Sequence, residues 1–148
     1  MRVLWLALLV TACGYIPDFR QIHRAADEWR EATDGRCNPV IGRNVEVVET
    51  TQWDCKKAFG RGCLGWHRKN TIGIALDAIR SDIVLHHVAL HEIGHWCGLK
   101  HSLNPASVMY PGGDSSVQGI SEEDIEAFFA TDEKVLIERS MRQLGVDL

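Results

Sequence analysis

The apolar and polar positions of the chain follow two periods, one helical and one strand-like. In residues 17–33, apolar side chains recur every three or four positions with charged residues between them, which predicts an amphipathic helix. Residues 44–51 alternate apolar and polar positions around three valines, and residues 71–76 have the sequence Thr-Ile-Gly-Ile-Ala-Leu, so both predict β-strands. The intervening residues 52–70 are rich in Gly, Lys, Arg and Trp, and predict a loop with a short strand.

The second half of the chain begins with a predicted helix that is apolar on most of its sides. Ser81 or Asp82 can cap its N-terminus, and it continues to Cys97. Such a helix is expected to be central and buried. Gly98 stands where a glycine commonly ends a helix, and an irregular segment, residues 99–119, follows it.

Two further helices are predicted near the C-terminus. Ser121 and Asp124 have the spacing of a capping box, and apolar residues follow on one face. A separate last helix is predicted after Thr131. The chain has no internal repeat, low-complexity tract or evident linker, which predicts a single domain.

The first residues have the pattern of an export signal. Arg2 precedes an unbroken apolar run, residues 3–10, and small residues follow it. We expect residues 1–12 to be a signal peptide, with a buried N-terminal strand or helix as the alternative. The sequence Val-Thr-Ala-Cys, which ends at Cys13, resembles the lipobox of bacterial lipoproteins. Cys13 is therefore the predicted lipidation site of an exported chain, either attached to the cell envelope or secreted.

Composition narrows the class of protein without changing this outline. The chain has 148 residues, of which 45% are hydrophobic and 24% charged, as in soluble globular domains. Its net charge of -4 gives no basic footprint for nucleic acid, which we therefore exclude as a partner. No apolar run reaches the roughly 18 residues that a membrane-spanning helix needs.

The cysteine count indicates disulfides. Four cysteines besides Cys13 suggest two bridges in an exported domain, with three possible pairings. Cys55 and Cys63 are close enough in sequence to staple a loop, which would leave Cys37 with Cys97. A structural zinc ion shared by the cysteines is the rival, although the chain has no C-x-x-C pair. Cys37 could reach a metal ion if Cys97 pairs elsewhere.

A histidine cluster lies within the predicted central helix. His91 and His95 are four residues apart, so both imidazoles leave the same face one turn apart and can bind one zinc ion. Glu92 lies close enough to reach a water on that ion. Gly98 can turn the chain back and bring His101 to a third ligand position, which leaves the fourth open for water. Without a metal ion, these polar side chains would need other partners in an apolar helix.

Residues 91–101, HEIGHWCGLKH, match the zinc signature of the metzincin metallopeptidases. Metzincins also have a methionine turn beneath the metal ion, and here Met109 lies in the sequence Ser-Val-Met-Tyr-Pro. His101-Ser102 and the Val-Met-Tyr-Pro sequence are similar to those of the matrixins, the matrix metalloproteinase family. The resemblance covers residues 41–130.

The resemblance implies a fold and a domain. The fold is α+β and metzincin-like, with an N-terminal helix, a small twisted mixed sheet, a central zinc-binding helix, a methionine turn and a C-terminal helix. These elements form one matrixin-like metallopeptidase domain, residues 13–148. Matrixins carry a second, structural zinc ion, but the segment before the zinc helix offers mainly His67, so we expect a single, catalytic zinc ion.

The resemblance also implies the roles of the site residues. Glu92 is the catalytic residue, and Met109 forms the floor under the metal. The zinc ligands are His91, His95 and His101. Substrate would be bound by an edge strand and by the wall of a pocket. The strand residues are Ile72, Gly73, Ile74, Ala75 and Leu76, and the wall includes Tyr110 and Pro111.

The predicted function is that of an exported zinc endopeptidase acting on extended protein or peptide substrates. Zinc would activate the attacking water, and Glu92 would pass its proton to the leaving amine. Two alternatives stay open: a non-enzymatic peptide-binding lipoprotein that keeps zinc for stability, and an amidase that applies the same chemistry to cell-wall peptides. We expect a monomer that meets a membrane only through a lipid on Cys13.

Overall fold

The computed structural model describes residues 15–60, 62–112 and 119–143. This part of the chain contains four α-helices and three strands, which confirms the predicted α+β class. In chain order the elements are α1 (Arg20–Ala32), β1 (Glu46–Thr50), α2 (Gln52–Phe59), β2 (Gly65–Arg68), β3 (Thr71–Ala75), α3 (Asp82–Trp96) and α4 (Glu122–Gln143), with a 3-10 turn at Leu76–Ala78.

The sheet places β3 in its centre. β1 pairs with β3 in parallel and β2 pairs with it antiparallel, so the strand order is β1-β3-β2. The prediction that residues 71–76 form an edge strand is therefore wrong, because both backbone edges of β3 are already hydrogen-bonded. The continuous apolar sequence Ile72–Ala75 fits this buried central position. Leu76 lies beyond the strand and begins the 3-10 turn.

The core forms where α1 packs against α3. The buried residues of α1 are spaced along one stripe, as predicted, and comprise Ile22, Ala25, Ala26 and Trp29. Trp29 is completely buried, and its indole N–H donates to the Leu90 carbonyl of α3 at 2.8 Å. Satisfying that donor lets a large aromatic ring enter the core without an unpaired polar group. The contact fixes α3 against α1.

Two helices differ from the sequence prediction. α2 occupies a segment that was expected to be a loop, and the Thr51 side chain caps it by accepting a hydrogen bond from the Asp54 N–H. α4 is one continuous helix, so the prediction of a separate helix after Thr131 is wrong. Thr131 Oγ1 instead donates to the Ala127 carbonyl at 2.8 Å within the helix. Within the described residues, no helix has both the length and the apolar character needed to cross a membrane.

The disulfides have the pairing expected from the spacing of the cysteines. Cys37 is bonded to Cys97, and Cys55 to Cys63. The first bridge ties the chain after α1 to the end of α3, so Cys37 is not a free thiol that could reach a metal ion. The predicted signal segment and the lipidation site Cys13 lie outside the described residues.

Candidate metal centre and substrate cleft

Three imidazoles converge beside α3. His91 and His95 lie one turn apart on that helix, and His101 follows a turn at Gly98, whose φ of 97° ends the helix as predicted. The ring centroids are 4.8 to 5.2 Å apart. Within the residues that the structure describes, these three side chains form the one group suited to a metal ion, with ligand atoms no more than 4.8 Å from one another.

Backbone carbonyls fix the orientation of two of the rings. His91 Nδ1 lies 2.8 Å from the Val108 carbonyl oxygen, and His95 Nδ1 lies 2.9 Å from that of Leu99. A carbonyl can only accept, so each Nδ1 carries the proton and each Nε2 keeps a lone pair for a metal ion. This is the usual arrangement around histidine ligands of zinc.

The donor set fits zinc. Zn–N bonds of about 2.0–2.1 Å in a tetrahedron hold nitrogens about 3.3 Å apart, so the three rings need only a small inward adjustment. Burial lowers the pKa of His91 to about 4, and it also lowers the pKa of His95. Both rings are therefore neutral near pH 7, which is the form that binds metals.

Glu92 is buried next to this triad, with 5% of its surface exposed. Burial raises its pKa to about 8, whereas a bound divalent cation acts in the opposite direction on a carboxylate. The β2 backbone lies directly against it: a Cβ built at Gly65 would stand 2.7 Å from Glu92 Oε1. Position 65 therefore needs a glycine for the edge strand to approach the carboxylate.

Met109 packs against α3 at Gly94. It is almost completely buried, and a Cβ built at Gly94 would stand 2.4 Å from its sulfur. Gly94, which lies between His91 and His95 in the sequence, thus makes room for the methionine side chain.

The first turn of α4 holds the loops that carry the site. Ser121 and Asp124 form the predicted capping box, with the Asp124 N–H donating to Ser121 Oγ at 3.2 Å. The same Asp124 carboxylate accepts hydrogen bonds from the Ser107 hydroxyl and the Val108 N–H. Sequence analysis missed this second role, because the capping spacing identifies the helix start but not the loop packed against it.

The neighbouring Glu123 makes a matching contact with the loop after His101. Its carboxylate accepts hydrogen bonds from the Ser102 hydroxyl at 2.8 Å and from the Asn104 amide. The Ser102 N–H in turn donates to the Met109 carbonyl at 3.0 Å. The loop that follows His101 and the methionine turn are therefore joined to each other and to α4.

An open cleft of about 690 Å³ runs between α3 and β2. Of the predicted site residues, it brings together His91, Glu92, His95, His101, Tyr110 and Pro111. The predicted strand residues Ile72, Gly73, Ile74, Ala75 and Leu76 do not line it. The sequence did not point to the other cleft residues in this region, which are Phe59 at the end of α2, Cys63 and Leu64 between α2 and β2, and Gly65 and His67 of β2, whereas Trp66 had the core or the cleft wall as its predicted place.

His87 also lines the cleft, one turn before His91 on α3. It is buried and lies outside the three-histidine group. His101 is therefore the third imidazole of the group, as the sequence predicts.

The sequence profile of the matrixin family matches residues 19–130, about three quarters of the chain. A protein named as a matrix metalloproteinase in Trichoplusia ni ascovirus 2c is 48% identical over 40 residues, and one in Invertebrate iridescent virus 3 is 46% identical over 41 residues. These alignments cover 27% and 28% of this chain but 8% and 11% of the viral proteins. No solved structure gives a significant match. With its profile match and this histidine site, the chain belongs to the matrixin family.

Proposed function

We propose that the chain is a zinc-dependent endopeptidase that cleaves extended peptides in the cleft between α3 and β2. One observation carries this proposal: two histidines present Nε2 to a common centre, a third imidazole completes the set, and a buried glutamate adjoins it in an open cleft. A purely structural zinc site is closed by four protein ligands, whereas the described residues offer three.

The three imidazoles would hold one zinc ion, and Glu92 would move the proton. When bound, zinc supplies Lewis-acid chemistry, since it lowers the pKa of a bound water to about 7 and polarises a carbonyl. Glu92 accepts the proton of the attacking water on a carboxylate oxygen and delivers it to the leaving amine nitrogen. Its buried position excludes bulk water from that exchange and keeps the carboxylate beside the edge strand.

Substrate pairing is assigned to β2 instead of β3. In the described residues β2 pairs with one strand, and a peptide would add along its other backbone edge, beyond the Gly65 carbonyl, which lies 3.5 Å from the Cys55 sulfur and 3.2 Å from the Cys63 sulfur. Gly65 and His67 lie on the face of β2 that is directed toward α3, because successive strand residues alternate between faces. Tyr110 and Pro111 also line the cleft, and they would form the wall of the pocket for a substrate side chain.

The alternatives are less well supported. A non-enzymatic zinc protein gives no role to a buried Glu92 beside an open cleft. A cell-wall amidase would use the same residues on a different peptide, and a substrate comparison would identify it. As further proposals, residues 1–12 direct export, Cys13 carries a lipid or is released with a secreted chain, and the protein is a monomer.

The test is metal-dependent cleavage by the purified full chain. We expect about one zinc ion per chain, loss of peptide hydrolysis on chelation, and recovery on addition of zinc. A library of unrelated peptides and a set of cell-wall peptides, digested in parallel, separate the endopeptidase from the amidase. Hydrolysis that survives complete removal of the metal would refute the proposal.

A further inference from the structure

Two stacked aromatic rings line the cleft. Phe59, the last residue of α2, stacks on Trp66 of β2 with ring centroids 5.9 Å apart and ring planes within 20°. Both rings line the same cavity as the histidine triad. We call this pair the aromatic ledge. Phe59 is 57% exposed although it is fully apolar, so the ledge offers aromatic surface to whatever enters the cleft.

The ledge is held rigidly. Trp66 lies opposite Gly73 in the sheet, and a Cβ built at Gly73 would stand 2.1 Å from its indole, so the ring lies flat over the β3 backbone. Phe59 lies within the segment that the Cys55–Cys63 disulfide closes. A pre-positioned aromatic surface loses little conformational entropy when a ligand stacks on it.

The ledge lies on the opposite side of β2 from the catalytic carboxylate. Gly65 is directed toward Glu92, and side chains alternate along a strand, so Trp66 is directed to the other face. A peptide added to the free edge of β2 alternates in the same way. Every second substrate side chain would then point toward α3, and those between them would point to the ledge.

We propose that the aromatic ledge is a substrate subsite that selects an aromatic side chain on the face of the bound peptide directed away from the metal. The proposal rests on the proposed peptidase function and deepens it by naming a substrate class. Cross-strand aromatic pairs are favourable because their side chains meet directly, and stacking adds to the burial of apolar surface. The ledge is continuous with the cleft, so the same bound peptide reaches both.

The test compares peptides that differ at one position. Nine-residue fluorescent peptides carry Tyr or Ala at each position in turn, and their binding to the zinc-loaded Glu92→Gln variant is measured by fluorescence anisotropy. We expect Tyr to be preferred at one position or at two alternate positions by about five- to tenfold in Kd. Cleavage of the same peptides by the active chain is measured separately.

Phe59→Ala, introduced together with Glu92→Gln, should reduce the Tyr-to-Ala preference to near one, and Phe59→Tyr should keep it. Trp53→Ala is the matched control, because Trp53 is 74% exposed on the same helix but does not line the cleft. It should leave the preference unchanged. Thermal unfolding and zinc content of each variant confirm that the fold is intact.

The possible outcomes distinguish failure of the subsite proposal from failure of the peptidase proposal. A preference that is lost in Phe59→Ala and kept in Trp53→Ala supports the ledge, even if no peptide is cleaved, in which case the peptidase proposal fails alone. Absence of binding, absence of a Tyr preference, a preference for acidic residues instead, or a preference that survives Phe59→Ala would overturn the ledge.

Discussion

The buried carboxylate of Asp124 accepts a hydrogen bond from the backbone N–H of Val108 at 3.1 Å. The carbonyl of the same Val108 lies 2.8 Å from His91 Nδ1 and accepts its proton. One residue thus connects the first turn of α4 to the first imidazole of the metal site. The geometry of that imidazole depends on a helix more than 30 residues later in the chain.

Replacing Asp124 should therefore weaken both the fold and the metal site. Asp124→Ala leaves the Ser107 hydroxyl and the Val108 N–H buried without their acceptor, which costs about 2–4 kcal/mol of unfolding free energy. Zinc affinity should also fall, since the carbonyl that orients His91 is released. Urea unfolding and zinc titration measure the two effects. Glu122→Ala, an exposed change in the same turn, is the control, and equal losses in both variants would count against this role.

Gly94→Ala should destabilise the protein although alanine favours helices. At an open helix position the change would stabilise by about 1 kcal/mol. Here the new Cβ would stand 2.4 Å from the Met109 sulfur and 3.0 Å from the Trp29 ring, and such overpacking costs about 1–3 kcal/mol. Denaturant unfolding gives the sign. A variant more stable than the wild type would show that Met109 moves aside freely.

The two disulfides should differ in their contribution to stability. Cys37–Cys97 spans 60 residues and Cys55–Cys63 spans 8, so loop-closure entropy gives about 4 and about 2.5 kcal/mol respectively. Replacing each pair by alanine and measuring thermal unfolding checks this order. A larger loss from the short bridge would indicate that local packing of α2, not chain entropy, dominates.

Gly65→Ala should impair turnover without removing zinc. The added methyl group would stand 2.7 Å from Glu92 Oε1 and 2.9 Å from a Val88 methyl carbon, so the carboxylate or the edge strand must shift. We expect kcat to fall by at least about tenfold, because a displaced general base is poorly aligned. Gly119→Ala, where a Cβ meets nothing within 4 Å, is the matched control. Unchanged kcat in Gly65→Ala would argue against this approach of β2 to the carboxylate.

The parts of the site that were predictable are local in sequence. The four-residue spacing of His91 and His95, the turn at Gly98 and the capping box at Ser121 depend on one or two helical turns. The contacts of Gly65 with Glu92 and of Val108 with Asp124 depend on how distant segments pack. The hydrophobic pattern of a single segment does not predict such contacts.

The errors in the predicted fold also come from contacts between segments that are distant in the sequence. An apolar strand such as β3 has the same sequence pattern whether it lies at the edge of a sheet or between two other strands. Its central position depends on the pairing with β1 and β2, which lie elsewhere in the sequence. α2 was missed because its eight residues contain one buried position, Cys55, and lack a helical apolar stripe. Its position is instead tied to a disulfide and a Thr51 cap.

The most direct test of the account compares the wild type with Glu92→Gln, both loaded with zinc, on the same peptide. In the proposed chemistry the carboxylate would transfer a proton and would not be a ligand, so both proteins should bind about one zinc ion per chain with similar affinity. Turnover by Glu92→Gln should fall by about 10²- to 10⁴-fold. Undiminished hydrolysis by Glu92→Gln, or loss of its zinc, would contradict the proposed chemistry of this site.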